Sequence, residues 1–329
     1  MDDSPKPHLI ERAAERLIRA GGGAEALADL APASSSAGLG PAATALPHAE
    51  PRDLAADPAG AVATTIAPPP RPFVTPGFAT ATVPQLPEPT RKIDMPRMIA
   101  AGLAEGGAGR TRIAEEFRLV QNQLLRSAFG ADAEPGLSNL LMVTSARPNE
   151  GKTFSALNLA ASIARRGDHR VLLVDADAKH GSLTDLLGIN EHPGLLELAA
   201  KPEIGLIDCL FGTSIPALNF LPVGHQRGHR GDIFASNGMM RVIQGLGRQF
   251  PDLLIVLDVA PCLSTSDPAA LAPMVGQVVF VVEAERTQRD EVEASLDLIQ
   301  TCPTITLLLN KVLMSTSHSF GAYSYSYAF

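Results

Sequence analysis

Apolar residues gather into short continuous runs in the second half of the chain. NLLMVTS (139–145), RVLLVDAD (170–177), LNFLPV (218–223), LLIVLDV (253–259), QVVFVVEA (277–284) and TITLLLN (304–310) each have strand length and lack alternation. Runs of that kind fit strands buried on both faces. Between them the pattern changes to a helical period. FSALNLAASIARR (154–166) is closed by Gly167, and further helices are predicted near SLTDLLG, over MMRVIQGLGRQF (239–250) and over RDEVEASLDLIQ (289–300). Strands alternating with helices predict a doubly wound α/β fold with a mostly parallel sheet. Ligands of such folds bind at the carboxyl ends of the strands.

The first part of the chain has a different pattern. In HLIERAAERLIRAGG, residues Ile10, Ala13, Ala14, Leu17 and Ile18 share one face, and Gly21 to Gly23 end the run. This predicts a short amphipathic helix within residues 1–23. It either docks on the main domain, a partner or a membrane surface, or has no role. Residues 24–93 are rich in Ala, Pro, Gly, Ser and Thr and read as a disordered linker. Residues 94–315 form the expected globular domain, and 316–329 a flexible tail.

Composition removes several function classes. The net charge of −8 argues against general nucleic-acid binding. The three cysteines, Cys209, Cys262 and Cys302, lack metal-ligand spacing and read as reduced thiols of a cytoplasmic protein. No apolar run reaches the ~18–20 residues of a membrane span.

The candidate chemistry lies at the strand ends. In SARPNEGKT the first apolar strand leads to Gly151, Lys152 and Thr153 just before a helix. Backbone N–H groups and the helix dipole there favour an anion. Lys152 is placed for β- and γ-phosphates and Thr153 for Mg²⁺. Ala146 stands where the strict phosphate-loop pattern has its first glycine. Asp175 and Asp177 end the second strand and Asp258 the LLIVLDV strand. Carboxylates ending such runs need a cation or donors. Asp175 and Asp177 share a side if the strand continues, and a turn separates them if it does not. One serves the metal and the attacking hydroxyl and the other orients Lys179, or Asp177 simply caps the next helix. All three tyrosines, Tyr323, Tyr325 and Tyr327, fall in the last seven residues, in a stretch after Lys311 without Asp, Glu, Lys or Arg. A nucleotide site and a terminal tyrosine cluster together point to a chain that phosphorylates its own tail.

These residues resemble the kinase domain of bacterial tyrosine kinases, the P-loop autokinases of capsule and exopolysaccharide biosynthesis. Within that family the sequence looks closest to the tyrosine autokinases associated with exosortase. The resemblance spans 94–329 and extends weakly to the N-terminal segment. The first motif is matched by Ser145, Pro148, Glu150, Gly151, Lys152 and Thr153. The second is matched by Asp175 and Asp177, and the third by Asp258 and Pro261. Glu115 and Arg118 match the oligomerisation helix. The departures are Asn149 for a loop glycine, Lys179 for arginine, Ala260 for proline and Gln121 for arginine. Asn tolerates the left-handed backbone better than most residues.

The resemblance implies a Min/Par-like P-loop fold and a homo-oligomer that phosphorylates tails in trans with ATP and Mg²⁺. It implies Ser145, Pro148, Asn149, Glu150, Gly151, Lys152, Thr153, Phe154 and Asn310 around the nucleotide, Asn310 at the adenine. It implies Thr153, Asp175 and Asp258 at the metal. Lys152, Asp175, Asp177 and Asp258 would be catalytic, with Asp175 accepting the tyrosine proton. The implied partners are a membrane polysaccharide co-polymerase on a separate chain and a tyrosine phosphatase, with the kinase held peripherally at the inner face of the plasma membrane. Two rivals remain, a Min/Par-type positioning ATPase and a nucleotide-binding scaffold of an export complex. Arg147 stands where the Min/Par class has its signature lysine.

Overall fold

The computed structural model describes residues 86–104, 112–179, 181–225 and 233–312. The amphipathic N-terminal segment, most of the linker and the tyrosine tail lie outside the described residues. The strands are β1 (Arg91–Ile93), β2 (Leu140–Ser145), β3 (Arg170–Ala176), β4 (Phe211–Thr213), β5 (Leu218–Leu221), β6 (Leu253–Val259), β7 (Gln277–Glu283) and β8 (Thr304–Asn310). The principal helices are α1 (Met95–Ala100), α2 (Arg112–Phe129), α3 (Lys152–Arg166), α4 (Leu183–Leu186), α5 (Leu195–Ala200), α6 (Leu206–Cys209), α7 (Asn237–Gln249), α8 (Asp267–Leu271) and α9 (Arg289–Ile299).

One eight-stranded sheet runs in the order β1-β4-β5-β3-β6-β2-β7-β8. Every neighbouring pair is parallel except β4 with β5. Alternate residues along the central strands face two separate cores. Met142, Val174, Leu257 and Phe280 meet Met239 and Ile243 of α7 and Val292 and Ile299 of α9. Val143, Leu173, Val256 and Val281 meet Leu157, Ala160 and Ile163 of α3 and Leu124 of α2. Burying each large apolar side chain contributes roughly 1.5–3 kcal/mol. Two covered faces explain why the strands read as continuous apolar runs.

The sheet also takes in Arg91–Ile93, within the stretch expected to be linker, and Leu86 is buried in the core. At the other edge β8 departs from its buried-type sequence. Leu307 is 43% exposed and Leu309 58% exposed. Nothing in TITLLLN marks it as the last strand.

The register fixes the site. β3 and β6 pair so that Asp175 lies directly across from Asp258. By the two-residue alternation both carboxylates fall on the face covered by α3. The stretch after β6 is stitched to the end of β2, where Cys262 N donates to Ser145 O at 2.8 Å and Leu263 N to Ala146 O at 3.2 Å. These bonds bring the strand end bearing Asp258 beside the start of α3.

Candidate functional site

The loop between β2 and α3 holds its shape through unusual backbone angles and internal bonds. Asn149 has φ 66° and Gly151 φ 96°. Asn149 thus takes the left-handed conformation expected of a glycine substitute. A Cβ on Gly151 would lie 2.1 Å from Asn310 Nδ2, so the position requires glycine. Ser145 donates its hydroxyl to Arg147 O at 2.8 Å. Glu150 is buried, accepts Arg147 N–H at 2.7 Å and accepts the Thr287 hydroxyl. Arg147, Pro148 and Asn149 are exposed. Gly151 caps α3 without a side-chain bond, leaving the first N–H groups of the helix facing outward from its end.

Lys152 is buried at that helix start. Its Nζ lies 2.8 Å from Asp177 Oδ2, 3.6 Å from Asp258 Oδ1 and 3.2 Å from Thr153 Oγ1. Burial works against its charge, but Asp258, Asp177 and Asp175 outweigh it and raise the ammonium pKa. Asp258 is fully buried; neither oxygen makes a close hydrogen bond among the described residues, and the donors nearby are Lys152 Nζ at 3.6 Å and the Thr153 hydroxyl. Burial pushes its carboxyl up to about 6, against the pull of Lys152.

The two aspartates of β3 have different environments. The strand ends at Ala176 and the chain turns. Asp175 Oδ1 accepts Asp177 N–H at 3.0 Å and Oδ2 accepts Thr184 N–H at 2.7 Å. Its carboxyl is fully buried and raised by burial, against the bonds from Thr184, Ser182 and Asp177. Asp175 therefore braces the turn into α4. Asp177 is the aspartate of the pair that faces Lys152, and its Oδ1 accepts Lys179 N–H at 3.1 Å. Of the alternatives that the sequence left open, the chain adopts the turn.

The arrangement fits an anion with a divalent cation. A glycine-dependent loop, uncapped helix N–H groups and a buried lysine suit phosphate oxygens. The orphaned Asp258 carboxylate suits a cation. Among the described residues no group of three His, Cys, Asp or Glu side chains could hold a metal alone. Magnesium is held typically by one or two carboxylates together with phosphates and water, so that donor set is sufficient. Glycine 151, Lys152, Thr153 and Asp258 converge here, with Asp177 beside them.

Other expected residues lie elsewhere or have further contacts. Phe154 packs against Phe117 of α2, ring centroids 6.2 Å apart. Asn310 Nδ2 donates to Glu150 O at 2.8 Å, which ties the end of β8 to the loop. Glu115 and Arg118 pair with each other at 3.2 Å on the exposed side of α2. Tyr323, Tyr325 and Tyr327 lie outside the described residues. Sequence reading missed Thr184, Thr287 and Lys311. Lys311 Nζ donates to Asn149 O at 2.6 Å and lies 3.3 Å from Glu283 Oε1. Only its place after Asn310 would have flagged it.

Sheet order, loop and carboxylates define a doubly wound α/β domain with a phosphate-loop-like site at the carboxyl ends of its strands. Its relatives are narrower in kind: the chain is similar to bacterial tyrosine-protein kinases of polysaccharide systems. It is 30% identical over 189 residues to the putative tyrosine-protein kinase EpsB of Ralstonia nicotianae, covering 57% of this chain and 25% of that protein. It is 31% identical over 235 residues to the succinoglycan biosynthesis transport protein ExoP of Rhizobium meliloti, covering 66% of this chain and 27% of that one. The chain thus spans about a quarter of the length of these curated relatives. The solved kinase domain of the Escherichia coli tyrosine kinase ETK shares the fold, with TM-score 0.51 and 24% identity over 63% of this chain and 80% of that chain. No family model matches the chain.

Proposed function

We propose that this chain is an ATP-dependent protein-tyrosine kinase that phosphorylates Tyr323, Tyr325 and Tyr327 in the tail of a neighbouring copy. The observation that carries the reading is Lys152, buried at a glycine-dependent loop between Asp177 and Asp258. The similarity to bacterial tyrosine kinases and the confinement of every tyrosine to the tail support it.

The N–H groups of Glu150, Gly151 and Lys152 bind phosphate oxygens in this reading. Lys152 leaves Asp177 for the β- and γ-oxygens. Thr153 and Asp258, the latter through water, would hold Mg²⁺, which supplies neutralising charge for phosphoryl transfer. The tyrosine oxygen bonds to the γ-phosphorus. The bond from that phosphorus to the bridging oxygen breaks, and ADP keeps its electron pair. Asp177, freed by Lys152, takes the phenolic proton. The role first expected of Asp175 moves to Asp177, because both Asp175 oxygens already accept backbone N–H groups.

The wider proposal is regulation of exopolysaccharide polymerisation and export. A membrane polysaccharide co-polymerase would activate the kinase and hold it at the inner face of the plasma membrane. Glu115 and Arg118 would contribute to a homo-oligomer, and a tyrosine phosphatase would reset the tail. Among the described residues no helix is long and apolar enough to cross a membrane. The positioning-ATPase reading is weaker, because Arg147, at the place of that class's signature lysine, pairs with Glu291 of its own chain.

The test is anti-phosphotyrosine blotting after co-expression with the cognate co-polymerase. Signal is expected from the native chain and not from Lys152→Ala or from the triple Tyr→Phe chain. Nucleotide binding without phosphotyrosine would favour the ATPase or scaffold readings.

A further inference from the structure

Two consecutive carbonyls of the phosphate loop are gripped by two consecutive residues at the end of β8. Lys311 Nζ donates to Asn149 O at 2.6 Å and Asn310 Nδ2 donates to Glu150 O at 2.8 Å. Neither contact belongs to the sheet. Lys311 has φ 57°, a left-handed angle that is uncommon for a residue with a long side chain. Asn149, whose carbonyl it holds, is left-handed too, with φ 66°. Glu283 Oε1 lies 3.3 Å from the Lys311 ammonium and orients it. Ala284 N donates to Asn310 O at 2.9 Å and fixes the strand end beneath.

The consequence follows from the planar trans peptide, in which C=O and N–H point in opposite directions. The plane whose oxygen is Asn149 O carries the N–H of Glu150. The plane whose oxygen is Glu150 O carries the N–H of Gly151. Holding both oxygens from the β8 side turns both N–H groups the other way. These amides precede α3, where its dipole favours an anion. Without the grip, the Asn149 peptide can rotate, since Asn reaches left-handed angles less freely than glycine.

We propose that Lys311 and Asn310 are positioning residues that aim the Glu150 and Gly151 amides at the phosphates of a bound nucleotide. This rests on the nucleotide site proposed above. It adds an outer clamp that makes Asn149 workable where a glycine is expected. Lys311 is followed in the sequence by the uncharged C-terminal stretch.

The test is calorimetry of Mg·ADP binding to the full chain, with melting curves of the nucleotide-free protein. Lys311→Met keeps the stem and removes the charged donor. It should weaken Mg·ADP about three- to tenfold, the range of a charge-assisted bond discounted for a half-exposed lysine. Lys311→Arg should restore binding to within about twofold, and both melting points should match the native chain, as expected for changes at an exposed position. Asn310→Ala should weaken binding as well. Native affinity in Lys311→Met would overturn the proposal. So would weakened binding that Lys311→Arg leaves uncorrected. Lys152→Ala, run alongside, separates the two levels. If it loses Mg·ADP while Lys311→Met does not, only the clamp fails. If the native chain and Lys152→Ala bind alike, the nucleotide site fails and the clamp with it.

Discussion

Lys152 and Asp177 form a buried ion pair, with Nζ 2.8 Å from Oδ2 and both side chains about a tenth exposed. The lysine that should hold phosphate is held by a carboxylate of its own chain. Ligand binding therefore exchanges one anionic partner for another. The net gain is smaller than a fresh charge-assisted contact would give, since breaking the pair has its own cost.

Replacing Asp177 with Asn should separate binding from transfer. Lys152 loses its strongest competitor, so Mg·ADP affinity should be unchanged or a few-fold tighter. Tail phosphorylation should disappear, because an amide nitrogen cannot take the phenolic proton. Calorimetry and phosphotyrosine blotting read the two effects. A variant that still phosphorylates its tail would return the proton-accepting role to another group.

Asp175 should behave as a brace. It accepts two backbone N–H groups at 3.0 and 2.7 Å with no exposure. Asp175→Asn puts a donor where an acceptor is needed and should cost about 2–4 kcal/mol. For a domain of this size the melting point should fall by roughly 5–15 °C. An Asp175→Asn chain that melts like the native one but has lost transfer would place Asp175 in the chemistry instead.

Asp258 should make the ligand-free protein pH-sensitive. Burial raises its carboxyl to about 6, above the ordinary value of 3.8. A raised carboxyl favours the protonated form in the fold. Its contribution is thus full below about pH 4 and is lost as pH rises through about 6. Asp258→Asn should flatten that slope and, without metal or nucleotide, raise stability at pH 7 by about 1–3 kcal/mol. Urea midpoints between pH 4 and 7 measure this. Equal slopes in the two proteins would contradict it.

The cysteines should be silent. Burial pushes Cys209 up to about 12, and Cys262 and Cys302 to about 11. Few thiolates exist at pH 8, so iodoacetamide should modify them only on unfolding. Raised thiol values stabilise the fold below pH ~8.5, and that contribution fades as pH climbs toward 11. Rapid labelling of native protein would refute the assignment.

Much of the architecture was legible because it rests on long-range repetition. The strands 253–259 and 304–310 and the helix that ends at Gly167 follow from apolar runs and a glycine stop. The three-residue strands Arg91–Ile93 and Phe211–Thr213 were not legible. They owe their state to pairing with each other, which local sequence cannot encode. The exposure of Leu307 and Leu309 is hidden for a similar reason, since edge position belongs to the sheet and not to the strand. In the site, the loop and its lysine stand out in sequence by type and spacing. The division of labour between Asp175 and Asp177 does not. It depends on the chain turning after Ala176 and on Thr184, nine residues away, offering its N–H.

The three aspartates around Lys152 also bear on what can approach the site. One ammonium stands among three carboxyl groups, two of them raised by burial, so the resting cleft holds little surplus positive charge. A nucleotide bound as proposed would bring its own cation, which would meet Asp258 while Lys152 changes partners. In the proposed reading the ligand enters as a neutralised pair, its charge balanced before it reaches the lysine.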